Sequence, residues 1–171
     1  MVSSTGGRIV PPPVPMTITQ IAVVVADMES ALRSYTENLG WGPWSIYIAE
    51  PPLLHSTVLR GKPTEFTFMN AETHVGPVDF EFIQPLEGPS IYKEFLEQHG
   101  EGVHHIACMG TGANYEENLE NFEKMGLKVL MGGAIGDTIK FYYLDSEPLL
   151  KIVLESGSGH AIDLEPTYFY P

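Results

Sequence analysis

A chain of 171 residues, 43% hydrophobic and 18% charged, has the material for one ordinary globular domain, or for two small modules sharing a core. Its 22 acidic side chains against nine basic ones leave a formal charge of −13, which argues against nucleic acid and anionic membrane surfaces as partners. No apolar run approaches the roughly 20 residues needed to cross a bilayer, residues 1–8 lack the apolar core of a secretory signal, and the single cysteine, Cys108, excludes an intrachain disulfide. A cytoplasmic protein with a packed, unreactive Cys108 is expected.

Residues 1–16 contain Pro11-Pro-Pro-Val-Pro15 and read as an extended arm. The β-branched run from Thr17 to Val25 is a strand. Asp27 caps a helix that Gly40 closes, with Met28, Ala31, Leu32 and Tyr35 at helical spacing. Trp41, Trp44 and Tyr47, followed by Pro51-Pro52, read as a strand and a loop. Two more strands are expected over 65–69 and 78–83, with a turn at Gly76-Pro77 between them. A connecting helix runs from Ser90 to about Gln98.

The same order then begins again. Gly102–Met109 is a strand, Asn114–Lys124 a helix with Leu119, Phe122 and Met125 on its apolar side, and strands are expected over 129–132, 138–144 and 149–155. The chain is thus an α+β protein of two βαβββ modules, 17–86 and 101–157, joined by a connecting segment over 87–100 and followed by an aromatic tail over 158–171. Each module has one helix to cover one sheet face. The two uncovered faces are free to meet around a cleft, and the tail is free to pack on the domain or on a partner chain.

Strand side chains alternate faces, so parity is readable. Gln20 shares a face with Ala22 and Val24; Glu81 lies opposite Phe80 and Phe82; His105 lies with Val103 and Ala107, opposite Ile106 and Cys108; Glu155 lies with Val153, opposite Ile152 and Leu154. All four oxygen and nitrogen donors fall on the uncovered faces, one per strand, a set suited to a divalent metal. Each has a plainer reading alone: Glu81 and Glu155 facing water on an open sheet, His105 hydrogen-bonded in a core. Equivalence across the repeat, Gln20 with His105 and Glu81 with Glu155, favours ligation. Trp44, Tyr47, Phe68 and Tyr143 are candidate apolar walls for a small substrate, with core packing the alternative for some of them. His55, His74 and His160 have no assigned role.

The segments Thr19–Val25, Phe80-Glu-Phe-Ile-Gln-Pro-Leu86, Gly100-Glu-Gly-Val-His-His-Ile106 and Ile152–Glu155 resemble the vicinal oxygen chelate superfamily over about residues 17–157, with the greatest similarity to methylmalonyl-CoA epimerases. The resemblance implies one domain with a metal-containing cleft, and makes the second histidine of the pair, His105, the ligand, leaving His104 outside the shell. Those epimerases usually begin with a histidine where Gln20 stands. A Gln20/Glu81/His105/Glu155 set resembles glyoxalase I instead, but the arginine which that enzyme carries just after its first ligand is missing from the apolar run Ile21–Val25. The epimerases' second glutamate aligns near Thr67, with Glu65 two residues earlier on the same face.

The chemistry so implied is proton abstraction next to a carbonyl through a metal-stabilised enolate, by an isomerase or epimerase acting on a small carbonyl compound or acyl thioester. Glu155 is the expected base as well as a ligand, Glu65 the second acid/base, and the ion Zn, Co, Ni or Mn. A glyoxalase-type lyase using the same enolate, or a metal-free small-molecule binding or resistance protein, are the alternatives. A homodimer is the expected assembly.

Overall fold

The computed structural model describes residues 17–109, 115–159 and 164–171. The expected arm over 1–16, the start of the second module's helix at Asn114, and His160 lie outside the described residues. Helix α1 (Met28–Leu39) begins where Asp27 accepts a hydrogen bond from the Ser30 amide and ends at Gly40, which is left-handed. Helix α2 (Ile91–His99) is capped in the same way by Ser90, whose hydroxyl accepts from the Lys93 amide. Helix α3 is Tyr115–Lys124.

Among the described residues eleven strands form a single sheet: β1 (Gln20–Val24), β2 (Trp44–Ala49), β3 (Leu54–Leu59), β4 (Lys62–Pro63), β5 (Phe68–Val75), β6 (Val78–Pro85), β7 (Gly102–Ala107), β8 (Val129–Ile135), β9 (Ile139–Leu144), β10 (Val153–Ser158) and β11 (Tyr168–Tyr170). Their spatial order is β11-β2-β5-β6-β1-β7-β10-β9-β8-β3-β4. The two four-stranded halves, β2-β5-β6-β1 and β7-β10-β9-β8, meet where β1 pairs antiparallel with β7. This is the vicinal oxygen chelate architecture of paired βαβββ modules.

Except at Val103, the faces sort as parity predicts. Val23, Val25, Phe82 and Trp44 pack beneath α1 with Met28 and Leu32. Cys108, Tyr142, Leu144 and Leu154 pack beneath α3 with Phe122. The uncovered faces of both halves share a third core, in which Ala22, Val24, Phe68 and Ile83 meet Met131, Phe141, Tyr143 and Val153, with Ile91 and Tyr92 of α2 closing one end. Cys108 is buried, as expected.

Three expectations are corrected, and one pairing was not foreseen. The strand predicted over 65–69 starts only at Phe68 and continues to Val75. Residues before it are held by a different segment: the Thr67 amide donates to Glu87, Leu86 donates back to Thr67, and Gly88 passes so near that a Cβ there would lie 2.2 Å from the Glu65 carbonyl oxygen. The strand predicted over 149–155 splits into a four-residue helix, α4 (Glu147–Leu150), and β10, because Pro148 starts a helical turn and Lys151 ends it at φ 64°. The hairpin β3–β4 belongs in sequence to the first module, yet β3 pairs with β8 of the second and straps the halves together. Trp44, an expected cleft wall, lies on the α1 side, fully buried, with its indole N–H donating to Thr36 Oγ1 at 3.0 Å and its ring stacked on Phe82. The aromatic tail packs on the domain, β11 pairing antiparallel with β2.

Trp44 is therefore a stability residue. Trp44→Ala is expected to cost about 3–5 kcal/mol in urea unfolding. Its effect on ligand binding should be no larger than the lost stability explains.

Candidate active site

The sheet register gathers the site. One lateral row runs Glu72, Glu81, Ala22, His105, Val153 across β5, β6, β1, β7 and β10, each residue the direct neighbour of the next. The adjacent row runs Asp79, Gln20, Ala107, Glu155, Tyr143 across β6, β1, β7, β10 and β9. Paired residues on neighbouring strands project to the same face. Five strands thus aim Glu72, Glu81, His105, Glu155, Gln20 and Asp79 at one patch. The two residues at the centre, Ala22 and Ala107, are both 0% exposed and contribute only methyl groups, which leaves room between the flanking polar side chains.

The resulting cleft, of about 80 Å³, is lined by the polar side chains of Gln20, Asn70, Glu72, Asp79, Glu81 and Glu155 and by Phe68, Met109, Ile135, Ile139, Phe141 and Tyr143. Pockets for whole ligands run to about 300–1,000 Å³, so the space suits an ion and a few small groups rather than a whole large ligand. His105 Nε2 stands 3.0 Å from Glu155 Oε2 and 3.7 Å from Glu81 Oε2. The closer pair is in contact without hydrogen-bond alignment: His105 Nε2 and Glu155 Oε2 are both buried and neither has a hydrogen-bond partner. Unpaired buried polar atoms are costly, and two aimed at each other in one cleft mark a ligand site. Asn70 donates from one amide nitrogen to Glu72 Oε1 at 2.9 Å and to Glu81 Oε1 at 3.1 Å, holding those carboxyl groups side by side.

Burial sets the electrostatics. Desolvation, then the nearby Asp79 and Glu155, push Glu72 up to about 8, while the Asn70 hydrogen bond pulls the other way. Desolvation, then Glu72 and Glu155, push Glu81 well above the usual carboxylate range. Behind His105 lies His104, also buried, with the two Nδ1 atoms 2.9 Å apart. Burial and the neighbouring imidazole lower His104 to about 2, which keeps it neutral. The Tyr92 hydroxyl donates to that of Tyr143 at 2.7 Å, and the Tyr143 ring lies 4.9 Å from the His105 ring.

Of the residues expected at the site, Gln20, Glu81, His105 and Glu155 converge, with Phe68 and Tyr143 in the wall. Tyr47 pairs with Asn70 on the cleft-facing side of β2. Glu65 is not brought in: it is exposed in the loop before β5, and Thr67, the other candidate, has its hydroxyl accepting from the Glu87 amide. Glu72 and Asn70 were missed because the strand was expected to end at 69, six residues before β5 does. Phe68, Asn70 and Glu72 are alternate residues of one run, and that periodicity was the available signal. His74 contacts Asp79, and His55 reaches Ser56 and the Gly136 carbonyl, both at the surface.

A model of the glyoxalase/bleomycin resistance protein/dioxygenase superfamily matches residues 19–143. The chain belongs to this superfamily. A hypothetical protein from Bacillus halodurans C-125 is similar at TM-score 0.63 and 16% identity, over 84% of this chain and 94% of that one. Methylmalonyl-CoA epimerase from Mycobacterium tuberculosis is similar at TM-score 0.56 and 14% identity, over 95% of each chain. A Streptomyces coelicolor methylmalonyl-CoA epimerase variant in complex with 2-nitronate-propionyl-CoA is similar at 0.57 and 17%, over 86% of this chain and 98% of that one. At such identities the likeness is one of fold. No curated protein matches the chain by sequence.

Within this glyoxalase-superfamily chain, among the described residues, no three His, Cys, Asp or Glu side chains are already spread around a point as an ion's shell would be. The donor chemistry nonetheless fits a divalent cation: an unpaired imidazole nitrogen, an unpaired carboxylate oxygen, a second buried carboxyl group and an amide in one small cleft.

Two measurements follow from this geometry. Glu72 keeps its proton in the folded state up to about 8, whereas the unfolded chain loses it near 4.5. Across that window the folded state binds more protons, so stability of the metal-free protein falls as pH rises from about 5 to about 8. Thermal melts should show this decline, and Glu72→Gln should flatten it, with Glu81 leaving a residual slope. Ala22→Leu, which fills the gap between Glu81 and His105, should abolish divalent-ion binding in calorimetry while far-UV circular dichroism stays unchanged.

Proposed function

We propose that this protein is a divalent-metal-dependent isomerase or epimerase that moves a proton on the carbon next to a carbonyl, acting on a small carbonyl compound or acyl thioester. The observation that carries the reading is the buried, mutually facing and unpartnered pair His105 Nε2 and Glu155 Oε2, with Glu81 beside them. Gln20, Glu81, His105 and Glu155 would hold the ion, with Zn, Co, Ni or Mn matching their nitrogen and oxygen donors. When bound, the ion supplies Lewis-acid stabilisation of negative charge on the substrate's carbonyl oxygen.

The chain's own residues do the rest. Glu155 takes the α-proton and returns it. Glu72 replaces Glu65 as the second acid/base, because its affinity for a proton lies near neutral pH, where a carboxyl group can both give and accept one. Asn70 orients Glu72 through the hydrogen bond to Oε1. Phe68, Phe141 and Tyr143 form an apolar wall that keeps bulk water from the reacting carbon. The small volume of the cleft supports a compact reacting end, the remainder of any larger substrate lying outside.

Elemental analysis of the purified protein should find about one divalent ion per chain, and His105→Ala should lose it. Glu155→Gln should slow solvent deuterium incorporation at the α-carbon by about 10²–10⁴-fold, measured by NMR in D2O across a panel of 2-substituted acyl thioesters and α-hydroxy ketones. A protein that takes up no divalent ion after supplementation would sink the proposal.

A further inference from the structure

Away from the acidic cleft, the strap that joins the two halves carries a second organised group of side chains. Strand β3 pairs with β8 through a bulge: His55 opposes Ala134 and Val58 opposes Gly132, so Ser56 and Thr57 together stand opposite Gly133. Gly133 is small where the bulge presses on it, since a Cβ there would lie 3.1 Å from Thr57 Cγ2 and from the Phe141 ring. Ser56 adopts φ 53°, the left-handed region that residues with side chains rarely enter. Such strain gathers at functional sites, where the surrounding structure holds it in place.

Successive residues of a regular strand point to opposite faces, so His55 and Ser56 meet only because of the bulge. Ser56 Oγ stands 3.0 Å from His55 Nδ1, and His55 Nε2 stands 2.9 Å from the Gly136 carbonyl oxygen. A carbonyl only accepts, so Nε2 carries the hydrogen. In the neutral ring Nδ1 is then the acceptor, and the Ser56 hydroxyl donates to it. Gly136 is itself anchored, its amide donating to the Leu53 carbonyl at 2.9 Å. Hydroxyl, imidazole and acceptor stand in the relation of nucleophile, base and orienting group. His55 and Ser56 line a surface pocket of about 560 Å³, within the range of small-molecule sites, together with Pro51, Leu54 and Phe66. Those three offer apolar surface to a hydrocarbon chain.

We infer that Ser56 is the nucleophile of a second site, which takes a small apolar acyl group from an ester or thioester, with His55 as its general base. Ser56 Oγ bonds to the acyl carbon while its proton passes to His55 Nδ1. The bond from that carbon to the leaving oxygen or sulfur breaks, and the proton follows it to give an alcohol or a thiol. The imidazolium formed in between keeps its Nε2 hydrogen bond to the Gly136 carbonyl. Water then attacks the acyl carbon, releasing a carboxylic acid and restoring Ser56. No group of the proposed metal site takes part, so this inference and the isomerase reading stand or fall separately.

The test treats the full chain with a fluorophosphonate probe and, separately, with p-nitrophenyl butyrate. One fluorophosphonate adduct per chain is expected, mapped to Ser56 by peptide mass spectrometry, and nitrophenolate release should be measurable above the buffer rate. Ser56→Gly, which suits the left-handed backbone, should lose both signals while far-UV circular dichroism is unchanged. His55→Ala should slow both at least tenfold. EDTA should alter neither. Absence of an adduct, or an adduct that persists in Ser56→Gly, overturns the inference. So does a His55→Ala variant with a lowered melting temperature and an unchanged labelling rate, because the two hydrogen bonds would then only brace the strap.

Discussion

The register across the β1–β7 seam is the constraint on which the rest of this molecule depends. Ala22 pairs with Glu81 on one side and with His105 on the other, so residues far apart in sequence face each other across a single methyl group. A slip of one residue on either side would turn Glu81 or His105 onto the helix-covered face and send Phe82 or Ile106 into the cleft. Both faces are buried, by α1 and α3 outside and by the shared core inside, so the slip carries a penalty from both directions at once. Ala22 and Ala107 matter because they are small. A larger side chain at either centre would fill the space that the flanking polar groups converge on.

Packing carboxyl groups into that space is costly, and the cost is visible in the raised proton affinities of Glu72 and Glu81. The fold offsets part of it with Asn70, which serves both groups, and leaves part uncompensated at Glu155 Oε2 and His105 Nε2. Stability alone would have favoured apolar residues of similar volume here, as Phe68, Phe141 and Tyr143 in the same cleft illustrate. Strained polar groups set among relaxed apolar ones are the pattern of a site that binds something.

Most of the fold was legible because it is written in alternation. The parity of Gln20, Glu81, His105 and Glu155 against their large apolar neighbours assigns them to the face they occupy, and the caps at Asp27, Gly40 and Ser90 are where the side-chain chemistry puts them. The failures have local causes. Glu65 looked like a strand residue because strand propensity does not register that Gly88 and Glu87 claim its segment's backbone. Leu149 and Leu150 read as strand because they are apolar, but Pro148 and Lys151 fix a helical turn that leaves them exposed. The pairing of β3 with β8 is long-range and has no sequence signal in either partner. Glu72 was the most consequential omission, hidden not by its own residue type but by a strand whose end was drawn too early.

One irregularity in the seam has a chemical effect. The β1–β7 register shifts after Ala22, which pairs with His105 while Val23 pairs with Val103, so His104 is an extra residue in the ladder. The bulge releases strict alternation: Val103, expected beside His105 on the buried face, is 57% exposed, and the two consecutive histidines are both interior. It is this displacement that brings His104 Nδ1 to 2.9 Å from His105 Nδ1, with Tyr92 and Phe95 packed around the His104 ring. One ring donates and the other accepts across that contact, which ties the tautomer of His105, whose Nε2 faces Glu155, to that of its buried neighbour. A regular ladder would have turned His104 away, and left the inner ring free to choose either tautomer.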